Sequence, residues 1–211
     1  MGPDGTAVLD DELVRLVGAD QRWLETALAR LASGAEVKVA GAGRTDDGVH
    51  ALGQVASFSL EREAAPSELQ RALNGMLPAD VRVLLAERVP EGFHARRAAL
   101  FKLYSYVLDC GGVPPPQRSR FAGFVPWSLA EPAVLAAAAL YLGRRDFASL
   151  ASSGGSVKTS VRTVTRSLAR FEGTTLVYEV EADGFLRIDA LARSGQRAAA
   201  SHTACSPPSN P

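Results

Sequence analysis

The stretch GAGRTDDGVHALGQVASF, Gly41 to Phe58, decides how this chain is read. Ahead of it, EVKVAGAG (36–43) reads as a short strand running into a glycine turn. Behind it, GQVASFSLE alternates Val55, Ser57 and Ser59 against Ala56, Phe58 and Leu60. Successive side chains on a strand point to opposite faces, so this alternation predicts a second strand. The turn between them holds Arg44, Thr45, Asp46, Asp47 and His50. Gly41, Gly43 and Gly48 let its backbone bend and let a ligand approach closely.

A carboxylate in such a turn has three chemical uses. As a metal ligand it would want more oxygen donors than two adjacent aspartates, whose side chains diverge. As a general base it would want burial to raise its pKa. As a nucleophile it must stay ionised, and a neighbouring cation such as Arg44 favours that form. The residues themselves favour an ionised Asp beside an Arg, and a turn-stabilising Asx motif is the structural alternative.

The rest of the chain supplies the setting. DQRWLETALARLAS (20–33) places Trp23, Leu24, Ala27, Leu28 and Leu31 on one helical stripe that Gly34 ends. PSELQRALNGML (66–77) predicts a second helix, with Ser67 as cap. VRVLLAERV and AALFKLYSYVLDC predict two more strands. The consecutive prolines of GGVPPPQRSR (111–120) can continue neither helix nor central strand, which predicts a linker between two halves. Beyond it come a helix, LAEPAVLAAAALYLG, a Ser/Gly-rich loop, and two strands, VRTVTRSLARFE and TTLVYEVEA, turning at Gly173. The expected organisation is an irregular segment 1–19, an N-terminal half 20–110, the linker 111–120, a C-terminal half 121–187 and a disordered tail 188–211. This order of elements predicts an α+β fold, an antiparallel sheet with helices on one face, assembled from two ferredoxin-like halves.

Composition narrows the function classes. The chain has 211 residues, 46% of them hydrophobic and 22% charged, the balance of a soluble globular protein. No apolar run approaches the roughly 18 residues of a membrane span, and no basic start leads into an apolar core. The sequence therefore reads as cytoplasmic, with no membrane partner. Two cysteines, Cys110 and Cys205, and three histidines are too few and too scattered for a disulfide framework or a zinc site. Lys+Arg and Asp+Glu stand at 23 each, so net charge announces no nucleic acid. Arginines cluster at 96–97, 118–120, 144–145 and 162–170. Their planar forks suit phosphate, although on composition alone a solvated surface explains these clusters better.

GAGRTDDGVHALGQVASF resembles the signature of the TruA-type tRNA pseudouridine synthases, a glycine-rich turn carrying Arg-Thr-Asp followed by Gly-Val-His. LPADVRVL, VPEGFHAR, KLYSY, GRRDFASL, VRTV and EVEADGFLR resemble further family segments in the same order, so the likeness runs from about Asp20 to Arg187. The resemblance implies the pseudouridine synthase fold. It implies an isomerase that breaks the glycosidic bond of a tRNA uridine, rotates the base and rejoins it through carbon 5. No metal or organic cofactor is implied. Asp46 is the implied catalyst, Arg44 the residue that keeps it ionised and helps hold the nucleotide out of the stack, and Tyr104 a ring packed on the flipped base. His50, His94, Arg96, Lys102, Arg145 and Arg162 fall in matching segments and become candidates for RNA contacts, with Arg97 and Arg144 beside them. The family acts on the anticodon stem-loop, at positions 38 to 40, as homodimers with the RNA crossing both subunits.

Three features depart from the family. Its opening strand and Tyr-Asp-Gly segment are reduced here to PDGT (3–6). After GFLR the family has a Met-Val-Arg segment whose arginine joins the active site, and the matching position here is Leu191. Sequence beyond Arg187 reads as a frameshift or truncation would. Finally, Asp47 stands where the family usually has alanine, next to the catalyst. An RNA-binding relic without catalysis is the alternative that Leu191 favours, and an unrelated α+β binding protein with a purely structural turn is a more distant one.

Overall fold

A computed structural model describes residues 11–17, 21–43, 49–61, 64–150, 159–186 and 199–205. The chain divides into two compact units. The first comprises Met1–Arg44, Ala51–Leu100 and Thr203–Pro211, and the second Thr45–His50 and Phe101–His202.

In the first unit the elements run β1 (Asp11–Val17), α1 (Gln21–Leu31), β2 (Ala40–Gly41), β3 (Val49–Ser59), α2 (Pro66–Met76) and β4 (Arg82–Val89). β1 lies between β4 and β3, antiparallel to both, and β2 pairs with β3. The order 4-1-3-2 of a β-α-β-β-α-β chain is the ferredoxin-like arrangement. Both helices lie on one side of it. Leu24, Ala27 and Leu28 of α1 and Leu69 and Leu73 of α2 pack with Val14, Ala56, Phe58 and Val83 from the strands. The spacing i, i+3, i+4 gathers these leucines on one stripe, as the sequence predicts.

β3 is the pivot of the unit. Its residues from Gly53 to Phe58 are buried without interruption, so both faces of the strand are covered. Ala56 and Phe58 serve the helix side. Val55 packs instead with Ala42, Val89 and Ala95, and Phe93 and Ala99 lean on that cluster. Fully burying one such side chain stabilises the fold by about 1.5–3 kcal/mol.

In the second unit β5 (Ala99–Cys110), β9 (Thr175–Ala182), β8 (Val161–Glu172) and β7 (Gly143–Asp146) form an antiparallel run in that order. β6 (Gly123–Val125) pairs in parallel with the end of β5. Helix α3 (Glu131–Ala139) covers Cys110, Ala169 and Leu176 through Ala138 and Val134. β8 and β9 are joined through Gly173 at φ 63°, a conformation that suits glycine. The α+β class and the antiparallel sheets stand as the sequence predicts. Among the described residues no helix is long and apolar enough to cross a membrane.

Several expectations are corrected. The segment 1–19, expected to be irregular, contains β1, an inner strand of its sheet. DELVRLV has no period-2 pattern, and backbone ladders on two sides hold it regardless. The strand expected over 36–43 shrinks to Ala40–Gly41. Trp23 is half exposed, because it stands one residue, about 100° of helix, from Leu24 at the centre of the buried stripe. Ser67 does not cap α2: Ala65 holds that place without a side-chain bond, and Pro66 opens the helix. Proline suits this first position because its φ is already helical and its missing N–H would have no partner there.

The division between units falls at Leu100 and Phe101, ahead of the 111–120 segment. That segment is tied to the second unit. Arg118 Nη2 lies 3.1 Å from the buried Asp109 carboxylate, and Thr175 Oγ1 donates to the same oxygen at 2.9 Å. A buried carboxylate demands such partners, and they hold the proline-rich arm against its sheet. β7 was not expected, and within 188–211 the segment Ala199–Cys205 forms a strand, β10, where disorder was expected. Backbone pairing needs no hydrophobic period, so AASHTAC gives no signal in its side chains.

These packing assignments have measurable consequences. Leu73→Ala, at a site with no exposure, should cost about 2–5 kcal/mol in urea denaturation. Ser67→Ala should stay within about 0.5 kcal/mol, as an ordinary surface change does. A loss near 1 kcal/mol would restore Ser67 as the cap.

Candidate active site

The glycine turn rises from the end of β2. Ala42 is fully buried and its N–H donates to Val55 O at 2.8 Å, continuing the ladder one residue past the strand. Gly43 follows, and its carbonyl accepts a 2.9 Å hydrogen bond from Gln54 Nε2. Gly41 lies just beneath: a Cβ there would sit 3.3 Å from Gly43 O, tighter than side chains tolerate easily. Arg44, Thr45, Asp46 and Asp47 come next in the chain and lie outside the described residues.

The chain returns at Val49 and His50, the first residues of β3. His50 is exposed, its Nε2–H donates to Arg120 O at 3.0 Å, and its ring lies 5.0 Å from that of Phe121. Imidazole is thus engaged with backbone and a neighbouring ring, the structural use expected of a histidine beside a tight turn.

The EGFHAR segment packs on the other face of β3. Ala95 has no exposure, and its N–H donates to Ser57 Oγ at 3.0 Å. His94 closes a turn, its carbonyl accepting from Arg97 N and Ala98 N, each at 2.9 Å. Its Nδ1 is buried with no hydrogen-bond partner among the described residues. Arg96 and Arg97 are exposed beside it.

In the second unit the motif DGF (183–185) gathers two candidates. The Phe185 ring meets Tyr104 of β5 edge-on, centroids 4.7 Å apart at 72°. Gly184 lies against Arg162, whose Nε would be 3.2 Å from a Cβ at that glycine. Asp183 fixes the motif by exchanging hydrogen bonds with Thr163, at 3.1 and 3.2 Å. Lys102 also sits on β5, opposite Ala182 of β9.

Arg162 stands directly opposite Arg145 across the β7–β8 ladder, so the two cations share a face. Like charges so placed repel and destabilise the pair. Neither is ion-paired with a carboxylate among the described residues. Arg145 Nε donates to Leu142 O at 3.0 Å, and Arg162 Nη1 to Thr159 O at 2.9 Å and Val161 O at 2.6 Å. Arg144 is exposed next to them. Uncompensated positive charge with guanidinium forks is chemistry suited to phosphate oxygens. Among the described residues no cluster of His, Cys, Asp or Glu is placed to hold a metal ion.

The structure thus brings Tyr104 and Arg162 to one motif and Arg145 to Arg162, while His94 and Arg96 belong to the segment that packs on β3. Sequence reasoning gave no role to Gln54 and Ser57. Their signal was present: two polar residues inside a run otherwise as apolar as a strand buried on both faces. It also gave no weight to the facing of Arg145 and Arg162, which depends on a strand, β7, that it did not predict.

Known proteins resemble the chain along much of its length. A family described as tRNA pseudouridine synthase matches residues 8–96. The tRNA pseudouridine synthase A of Latilactobacillus sakei subsp. sakei (strain 23K) is 36% identical over 168 residues, covering 79% of this chain and 68% of that protein. The tRNA pseudouridine synthase A of Methylacidiphilum infernorum (isolate V4) is 43% identical over 167 residues, 79% of this chain and 65% of that one. A solved structure described as a Cbf5-Nop10-Gar1 complex aligns at a TM-score of 0.44 with 13% identity, over 90% of this chain and 47% of that chain.

The strand that bears Arg145 ends in a carboxylate with two hydrogen-bond donors. The Ser160 hydroxyl, first, and the Ala148 N–H hold the Asp146 carboxyl below the usual carboxylate range, at 2.5 and 2.9 Å. A depressed folded pKa contributes stability above the unfolded pKa and loses it as pH falls through the folded one. Ser160→Ala should therefore move the Asp146 titration, followed by carboxyl NMR, upward towards its ordinary value, so that the contribution shrinks and its loss is complete at a higher pH. An unchanged midpoint would deny the hydroxyl this role.

Proposed function

The chain belongs to the tRNA pseudouridine synthase A family, and we propose that it isomerises uridines of the tRNA anticodon stem-loop, at positions 38 to 40, with Asp46 as catalyst. The activity is that of an isomerase acting on tRNA. In the reaction the bond from ribose C1′ to N1 breaks and one from C1′ to C5 forms. The C5 proton leaves and N1 gains one, so the nucleotide keeps its composition. Asp46 assists covalently while the base is free to rotate, which requires an ionised carboxylate. Arg44, two residues earlier, favours that form and helps hold the extruded nucleotide. Tyr104 offers its ring to the base, at small entropic cost. The reaction needs no metal or organic cofactor.

The observation that carries the reading is the foundation of the turn. Gly43, the residue before Arg44, has its carbonyl fixed by a buried side chain, and Ala42 before it is locked into the ladder. A reactive group gains from such preorganisation, since misplacement by about 1 Å costs on the order of a hundredfold in rate. Arg145 and Arg162 support an RNA substrate, with Arg96, Lys102, His50 and His94 as further contacts. RNA stems are recognised through phosphates and shape, which these groups suit. A homodimer with the RNA crossing both subunits, acting in the cytoplasm, completes the proposal.

Leu191, at the place of the family's active-site arginine, favours a second reading, a protein that binds tRNA without converting it. Tritium release from tRNA labelled at uridine C5 decides between them. Turnover by the chain and a loss of about a thousandfold or more in Asp46→Asn, with its melting temperature kept, are expected. Turnover surviving the substitution moves the catalyst elsewhere, and binding without any release favours the second reading. Separately, replacing Arg145 and Arg162 by alanine should weaken tRNA binding and reduce its log–log salt slope by roughly 1 per arginine. An unchanged slope would remove both from the RNA surface.

A further inference from the structure

Gln54 is a long polar side chain, 8% exposed, in the part of β3 buried on both faces. An amide in such a place destabilises unless its groups are bonded, and a valine there would need no partner. Both ends of this amide are engaged. Nε2 donates to Gly43 O at 2.9 Å, and Oε1 lies 3.2 Å from Val55 N, which donates to it. The Val55 contact orients the amide, so that its nitrogen faces the glycine. Gly43 could otherwise turn freely about its own backbone bonds.

A second observation points to the same carbonyl. Gly41 lies beneath it, where a Cβ would approach Gly43 O to 3.3 Å. Between the two, Ala42 is fully buried and bonded to Val55 O. Three successive residues are thus each held by β3 or by one another. The peptide plane that begins at the Gly43 carbonyl is shared with Arg44, and planarity passes its orientation on to the next residue.

We propose that Gln54 is a positioning residue for the isomerisation: its hydrogen bond to Gly43 O fixes the peptide from which the chain continues to Arg44 and Asp46. It touches neither substrate nor reacting atom. The proposal rests on the reading of Asp46 as catalyst and adds the device that aims it.

Two variants test it. Gln54→Met keeps the shape and removes the donor; kcat should fall about tenfold to a hundredfold with KM for tRNA little changed. Gln54→Glu supplies a donor only when protonated, and burial raises the pKa of such a carboxyl. Its kcat relative to wild type should therefore be low at high pH and climb as pH falls, while the ratio for Gln54→Met stays flat. Circular dichroism and tRNA affinity at each pH separate lost aim from lost fold. If Gln54→Met does not fold, the pH dependence of Gln54→Glu decides alone.

Wild-type kcat in Gln54→Met, or a flat ratio in a folded Gln54→Glu, overturns the proposal. Asp46→Asn measured alongside keeps the two ideas apart. Turnover in that variant sinks the catalyst assignment itself. A dead Asp46→Asn beside a fully active Gln54→Met sinks only the role of Gln54.

Discussion

A strand covered on both faces can keep polar side chains only if each finds a partner inside the protein, and β3 keeps two. Gln54 stands in phase with Ala56 and Phe58, and Ser57 in phase with Val55, so each face carries one. Gln54 reaches Gly43, and Ser57 receives Ala95 N. These partners belong to the glycine turn and to the EGFHAR segment, the two motifs that carry most of the family likeness in this unit. The requirement that a buried dipole be satisfied thereby becomes a means of fixing two loops against one rigid strand. Helices α1 and α2 complete the arrangement by covering Ala56 and Phe58 with leucines.

The second unit obeys a different constraint. Its sheet sets Arg145 against Arg162, a pairing that costs stability and that no carboxylate among the described residues relieves. The neighbouring carboxylate is used elsewhere: Asp146 is occupied by Ser160 and Ala148. Cations left in this state are available to an anionic partner. Gly184, without a side chain, leaves room for Arg162, and the adjoining Phe185 braces the Tyr104 ring. One short motif therefore adjusts both an aromatic and a cationic group.

Legibility in the sequence followed the physics of each element. The strands β3, β4, β5, β8 and β9 announce themselves through runs rich in apolar and β-branched residues, and helix α2 through the spacing of Leu69 and Leu73. β1 and β10 are held by backbone ladders, and no side-chain pattern reveals them. Helix α1 was legible as a stripe but not at Trp23, where only packing decides which margin of the stripe stays exposed. The turn containing Arg44 and Asp46 was legible as chemistry through its glycines and charges. Its foundation showed only as two polar residues in an apolar run, since a glutamine in a strand pattern looks the same whether it meets water or a carbonyl. The pairing of Arg145 with Arg162 needed a register, which composition does not contain.

The proposed chemistry is the exchange of a uridine's C1′–N1 bond for C1′–C5, driven by the Asp46 carboxylate. Nucleoside chromatography of an unmodified tRNA transcript after incubation with the full chain tests it most directly. Pseudouridine is expected to appear at the expense of uridine, confined to the anticodon stem-loop and absent with Asp46→Asn. Uridine left intact by a folded chain that binds the transcript would contradict it.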